Sequence, residues 1–299
     1  MAVLKKLVAV AAMAMAISGA VQAKDDAINC DNCAKWNKPA KPFNIYGNTW
    51  YVGVEGLSAV LVTGPQGHIL VDAGLPQSAA LIEANIKALG FKIEDVKLIV
   101  NSHAHWDHAG GIAALQRASG AMVAATASSA ATLRSGVNGK DDPQYDPGHM
   151  ARMPVVRKVK VVRDGQTLNV GPLAITAHAT PGHTPGATTW SWPSCEAGRC
   201  LDVVYADSLT PVSSDGFHFT GKGKTPDISR SFEASVAKVG SLKCDIILSS
   251  HPDATDTLAK AAARTPAGNP FVAADGCKAY AANVGKKLAE RLAHERAEH

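Results

Sequence analysis

The chain has 299 residues and a formal net charge of +4, and Lys5 and Lys6 near its start supply two of those charges. No basic stripe appears elsewhere, which argues against a nucleic-acid partner. With 46% apolar residues the composition is ordinary and globular, so the length allows one large domain or two small ones around a sizeable core.

Residues 1–23 read as an export signal. Lys5 and Lys6 form its positive region, Leu7 to Ile17 its apolar region, and Val21-Gln22-Ala23 a small-residue cleavage site. The apolar run is short for a spanning helix, and Ser18 and Gly19 end it. The expectation is a periplasmic protein with a single domain over residues 24–299 and no membrane segment in its mature form. Export permits disulfides, and six cysteines are present. Cys195 and Cys200 flank a tight-turn composition and could bridge a hairpin, while Cys244 and Cys277 could staple the last helix. Cys30 and Cys33 form Cys-x-x-Cys in a polar tail without a surrounding βαβ pattern. That context favours a structural bridge or an unpaired remnant over redox or zinc chemistry.

From Asn48 the pattern is β. Strands are expected at Thr49 to Val54, Leu57 to Thr63 and His68 to Val71, punctuated by glycines. Asp72-Ala73-Gly74 closes the third, and Asp72 either orients a ligand histidine from behind, the favoured reading, or caps the turn. Pro76 to Leu89 has helical spacing, Val96 to Val100 reads as a buried strand, and Ala109 to Gln116 as a helix start. A strand at Ala121 to Ala124 and a helix from Ala127 to Arg134 follow. Gly136 to Pro154 is rich in Gly, Pro, Asp and Asn without periodicity, as in a lid or groove wall, with Gln144 and Tyr145 as candidate contacts. Strands are then expected at Val159 to Val162, Thr167 to Val170, Leu173 to His178, Thr188 to Trp192, Leu201 to Tyr205 and Ile246 to Leu248. Helices are expected at Ile228 to Val239, around Ala254 to Arg264, and from about Asp275 to Arg296.

The chain is organised around the turn after Val100. His103, His105, Asp107 and His108 fall within six residues between a strand and a helix. Imidazole and carboxylate suit zinc, which takes N and O ligands at about 2.0–2.2 Å. Four such groups are more than one catalytic metal needs, which points to two metals sharing a water. His183 sits in a rigid turn with two prolines and two glycines, and His251 lies at a strand end as His103 does. Strands ending in ligand loops, interspersed helices and two similar halves suggest two facing sheets with helices outside.

At this point the sequence resembles the metallo-β-lactamases, specifically subclass B3. The motifs are His-x-His-x-Asp-His, Pro-Gly-His-Thr-Pro-Gly, Tyr-Ala-Asp-Ser-Leu and a histidine before proline near the end. The resemblance implies an α/β fold, the αββα sandwich of that superfamily with two mixed sheets. It implies two zinc ions, one held by His103, His105 and His183 and the other by Asp107, His108 and His251. Ser208 stands where other subclasses have a cysteine ligand. Ser208 and Thr210 resemble the hydroxyl pair that binds the substrate carboxylate, and Trp36 matches an aromatic at the groove wall of such enzymes; Gln144 is a candidate substrate contact from the loop alone. Relatives with a third bridge pair an N-terminal cysteine with one where this chain has Glu55.

The implied activity is hydrolysis of the β-lactam amide, carbapenems included, by a zinc-bound hydroxide oriented by Asp107, with no acyl-enzyme. A small-molecule β-lactam is then the partner, and a monomer is expected because no apolar surface helix or heptad asks for another chain. The competing reading is a thioesterase or lactonase in which Asp207 bridges both metals. A zinc-storage protein without turnover is a third.

Overall fold

The computed structural model describes residues 25–148, 151–223 and 225–298. The expected export signal lies outside the described residues. Among those residues, no helix is long and apolar enough to cross a membrane.

Two sheets form. The first orders β1 (Phe43–Tyr46), β2 (Thr49–Tyr51), β3 (Val60–Val62), β4 (His68–Val71), β5 (Val96–Val100), β6 (Met122–Ala125) and β7 (Val159–Val161) side by side. It is antiparallel from β1 to β4 and parallel from β4 to β7. The second comprises β8 (Thr167–Val170), β9 (Leu173–Ala179), β10 (Thr188–Glu196), β11 (Arg199–Ala206) and β12 (Ile246–Ser249), and only the β11–β12 pair is parallel. The helices are α1 (Cys33–Trp36), α2 (Ala79–Ala88), α3 (Trp106–Ala109), α4 (Ile112–Ser119), α5 (Ala127–Ser135), α6 (Ser229–Ser241), α7 (Thr257–Ala262) and α8 (Gly276–Ala297).

Three apolar cores separate four layers. Val60, Val71 and Val100 of the first sheet meet Trp190, Tyr205 and Leu248 of the second. The opposite face of the first sheet, with Leu61, Leu70 and Ile99, packs on Ile82, Ile112 and Leu133 of the helices. Val204 and Ile247 of the second sheet pack on Phe232, Val236 and Leu288. Strands β4 and β5 are covered on both faces, so they read as apolar runs rather than alternations. The αββα sandwich follows.

The strand termini are tied to both sheets by one carboxylate. Asp72, in the left-handed region at φ 58° just after β4, is fully buried. Its Oδ1 accepts from the Ser102 N–H at 2.7 Å and the Asn101 amide at 3.1 Å. Its Oδ2 accepts from the Ser102 hydroxyl at 2.6 Å and from the Tyr205 hydroxyl of β11 at 2.9 Å. Burial pushes this carboxyl up to about 7, although hydrogen bonds from Ser102 and Tyr205 favour its anion. The expectation that Asp72 orients a ligand histidine is corrected here: its partners are the residues preceding His103. From the second sheet, the Trp190 indole donates to Asn101 O at 3.0 Å and the Thr188 N–H to Ser102 O at 2.7 Å.

Several boundaries differ from the sequence expectation for local reasons. Strand β1 precedes Asn48, because Gly47 at φ 49° turns the chain so that Phe43 and Asn44 pair with Tyr51 and Trp50. Strands β10 and β11 continue to a tight hairpin in which Cys195 and Cys200 face each other and are bonded. The helix expected from Ala254 is interrupted by Asp256 at φ 52°, leaving one turn before α7. The helix expected from Ala109 begins at Trp106 and breaks at Gly110–Gly111. Cys30–Cys33 and Cys244–Cys277 are also bonded.

Replacing Asp72 with Ala removes the acceptor of four buried donor groups at the sheet interface. Stability should fall by about 3–5 kcal/mol, against about 1–2 kcal/mol for Tyr205→Phe, as read by denaturant unfolding. Equal, small losses for both would show that the carboxylate is not the tie.

Candidate metal centre

The motif turn leaves β5 and enters α3, carrying His103, His105, Asp107 and His108 to one edge of the sandwich, each at most 8% exposed. The turn after β9 brings His183 to the same edge, and the end of β12 brings His251. The rings of His103, His105 and His183 surround a common point, with centroids 4.7, 4.8 and 5.0 Å apart and near-perpendicular planes. One ligand atom from each lies within 4.8 Å of the others, and the same holds for His103, Asp107 and His108. Asp107 Oδ2 is 3.1 Å from His108 Nε2 and 3.5 Å from His251 Nε2.

Four of the histidines have an acceptor on their outer nitrogen. His103 Nδ1–H donates to Asp207 Oδ1 at 2.6 Å, and His105 Nε2–H to Asp142 at 3.1 Å. His183 Nδ1–H donates to Thr210 O at 2.9 Å, and His251 Nδ1–H to Gly56 O at 3.2 Å. Fixing the proton outside turns the other nitrogen's lone pair inward. His103 Nε2 is buried and has no hydrogen-bond partner among the described residues.

The electrostatics agree with that reading. Burial, reinforced by neighbouring histidines, holds the His103 imidazole well below its usual range and takes His183 down to about 3. Burial works against a charge on Asp107, yet His108 and His251 hold its carboxyl well below the usual carboxylate range. Burial likewise opposes a charge on His105, but the Asp142 carboxylate raises its pKa. Unprotonated His103, His108 and His183 beside the anionic Asp107 form a donor set that fits a borderline divalent cation.

Above this centre lies a groove of about 410 Å³. Of the residues singled out from sequence, Trp36, Gln144, Ser208 and Thr210 all line it. The Trp36 ring lies 5.3 Å from that of His251. Gln144 Nε2 is 3.3 Å from His183 Nε2, and Ser208 Oγ is 2.8 Å from Ser250 Oγ. Tyr145 does not line the groove, whereas Asn32, Trp106, Asn138 and Val212 do.

Sequence reasoning missed Asp142. Its signal was the need of a ligand histidine for an outer acceptor, set beside a carboxylate in the long Gly- and Asp-rich loop. It also missed Asp207 as the His103 partner, having considered that residue only as a bridging ligand. Asp207→Ala should weaken binding of a divalent metal about 10–100-fold, measured by competition with a chromophoric chelator. Unchanged affinity would show that Asp207 does not orient His103.

A sequence profile of the metallo-beta-lactamase superfamily matches residues 52–251. The Rm3 metallo-beta-lactamase structure superposes with a TM-score of 0.86 at 49% identity, covering 90% of this chain and 100% of that one. MEM-A1, a subclass B3 metallo-beta-lactamase isolated from a soil metagenome library, superposes at 0.85 with 47% identity, covering 88% and 100%. A curated hydroxyacylglutathione hydrolase from Anaeromyxobacter dehalogenans (strain 2CP-C) is 32% identical over 140 residues, 47% of this chain and 43% of that enzyme. The chain thus spans less than half the length of the curated relatives it matches. Profile, whole-chain likeness and metal-site geometry agree: the chain belongs to the metallo-beta-lactamase superfamily and, within it, to subclass B3.

Proposed function

We propose that this protein, a metal-dependent hydrolase of β-lactams, works with two zinc ions. His103, His105 and His183 hold the first, and Asp107, His108 and His251 the second. Supporting this division, two donor sets converge under one groove, and the Asp107 carboxylate lies between His108 and His251. Zinc bound there supplies Lewis-acid polarisation of a carbonyl and lowers the pKa of a water to near neutrality.

The side chains divide the remaining work. Asp107, kept anionic, accepts a hydrogen bond from the attacking water and aims it. The Ser208 and Thr210 hydroxyls donate to the substrate carboxylate, with Trp36 and Gln144 as walls on either side. No covalent intermediate is expected, because Ser208 Oγ is paired with Ser250 Oγ rather than with a base. Thr210 Oγ1 is 3.2 Å from His183 Nδ1, a nitrogen whose proton points at Thr210 O. The thioesterase or lactonase reading with a bridging Asp207 is disfavoured by the bond from His103 to Asp207.

In the same reading residues 1–23 are a leader removed on export to the periplasm, leaving a monomeric single domain. The three disulfides support the exported location, since such bonds persist in oxidising compartments.

The deciding experiment is hydrolysis of nitrocefin and imipenem by the mature protein with and without EDTA, followed by zinc. Chelator-sensitive turnover restored by zinc is expected. Hydrolysis of a thioester or lactone but of neither lactam would move the reading to the alternative. Asp107→Ala and His251→Ala should each lower kcat/KM by about a hundredfold or more, and near-wild-type turnover in either would sink the two-zinc scheme. Ser208→Ala and Thr210→Ala should instead raise KM about tenfold with little change in kcat.

A further inference from the structure

The groove has two irregular walls. Residues 137–148 carry Asn138 and Gln144, and residues 207–222 carry Ser208, Thr210 and Val212. They are joined behind the groove, where the Ser214 N–H donates to Pro143 O at 2.9 Å. The second wall is held in turn by the last helix. Glu295 Oε2 accepts from the Thr220 N–H at 2.9 Å and the Thr220 hydroxyl at 3.0 Å. Arg291 Nη2 donates to Ser213 Oγ and Phe217 O, both at 3.0 Å, and its guanidinium lies 5.6 Å from the Phe219 ring centre. Arg291 Nε donates to Glu295 Oε1 at 2.6 Å.

Glu295 is 1% exposed and continues the buried stripe of Val284, Leu288 and Leu292 on α8. An apolar side chain there would pack the helix without the desolvation cost of a carboxylate. The acidic group is explained by what it grips, a wall segment with no regular structure of its own. The connection continues past Pro143, since the adjacent Asp142 accepts from the Gln144 N–H at 2.8 Å and from His105.

We infer that Arg291 and Glu295 are positioning residues for the substrate: they fix residues 207–222, through the Ser214–Pro143 bond they fix the opposite wall, and so they set which substrates the groove admits. The substrate half of this inference rests on the proposed β-lactam activity, whereas the wall-to-wall coupling does not.

The test uses the full chain, zinc-loaded, and its Arg291→Ala, Arg291→Lys and Glu295→Gln variants. Amide hydrogen exchange read by mass spectrometry should quicken in 211–222 and also in 137–148, which Arg291 does not touch, while β4 and β5 keep their protection. KM for a cephalosporin with a bulky acyl side chain should change about fivefold in Arg291→Ala, with kcat for a compact carbapenem within about twofold, and Arg291→Lys should recover part of the difference. Faster exchange confined to 211–222, or equal KM changes for both substrates, would overturn the inference. If Arg291→Ala does not fold, Glu295→Gln decides by the same readouts, because its one oxygen still accepts from Thr220 while its NH2 faces the Arg291 Nε–H and breaks that bond. If the wild type cleaves no β-lactam, the proposed function fails, and the exchange pattern still decides the coupling.

Discussion

The carboxylate of Asp72 is the constraint on which the rest depends. It lies where the two sheets meet and binds the end of β4, the turn after β5 and the hydroxyl of Tyr205 on β11. A charge-bearing group at that depth is tolerated because each oxygen meets two donors. The residues before His103 thereby become part of the core instead of a surface loop. Packing against Trp190 and Thr188 then fixes the turn from the other sheet.

On that rigid base the centre is organised by its outer contacts as much as by its inward atoms. Two of the inward-facing histidines are steered by carboxylates and two by backbone carbonyls. Burial disfavours a proton on His103 and His183, which leaves their inward lone pairs for a divalent cation. The outer contacts therefore restrict each ring to one orientation, which supports a well-defined site.

Much of the sandwich is legible in sequence because its strands carry their own signal. Buried parallel strands appear as apolar runs, β9 as an alternation, and the turns as glycine and proline clusters. The inward-facing residues are legible for a similar reason, since they sit at strand ends next to rigid turns. Their outer partners are not. His103 and Asp207 are 104 residues apart, and His105 and Asp142 are 37 apart, so no spacing rule links them. For Asp72 the sequence leaves two readings open, because a carboxylate after a strand serves equally well as a ligand's support or as a tie for the turn, and the structure shows the tie. Strand β1 and the break at Asp256 were hidden for a different reason, because each depends on one residue in the left-handed region.

The two halves of the chain reach across to complete each other. The Ser58 N–H binds Ser250 O at 2.9 Å and His251 donates to Gly56 O, so the residue beside β12 is aimed by a loop between β2 and β3. His103, from the first half, is aimed by Asp207 from the second. Neither half owns a finished centre, and a folding chain acquires one only when the sheets dock. An ion that binds the finished centre therefore favours the docked state over partly folded ones by mass action. Scarcity of the ion would therefore be felt as a lower population of assembled protein, and not only as an idle site.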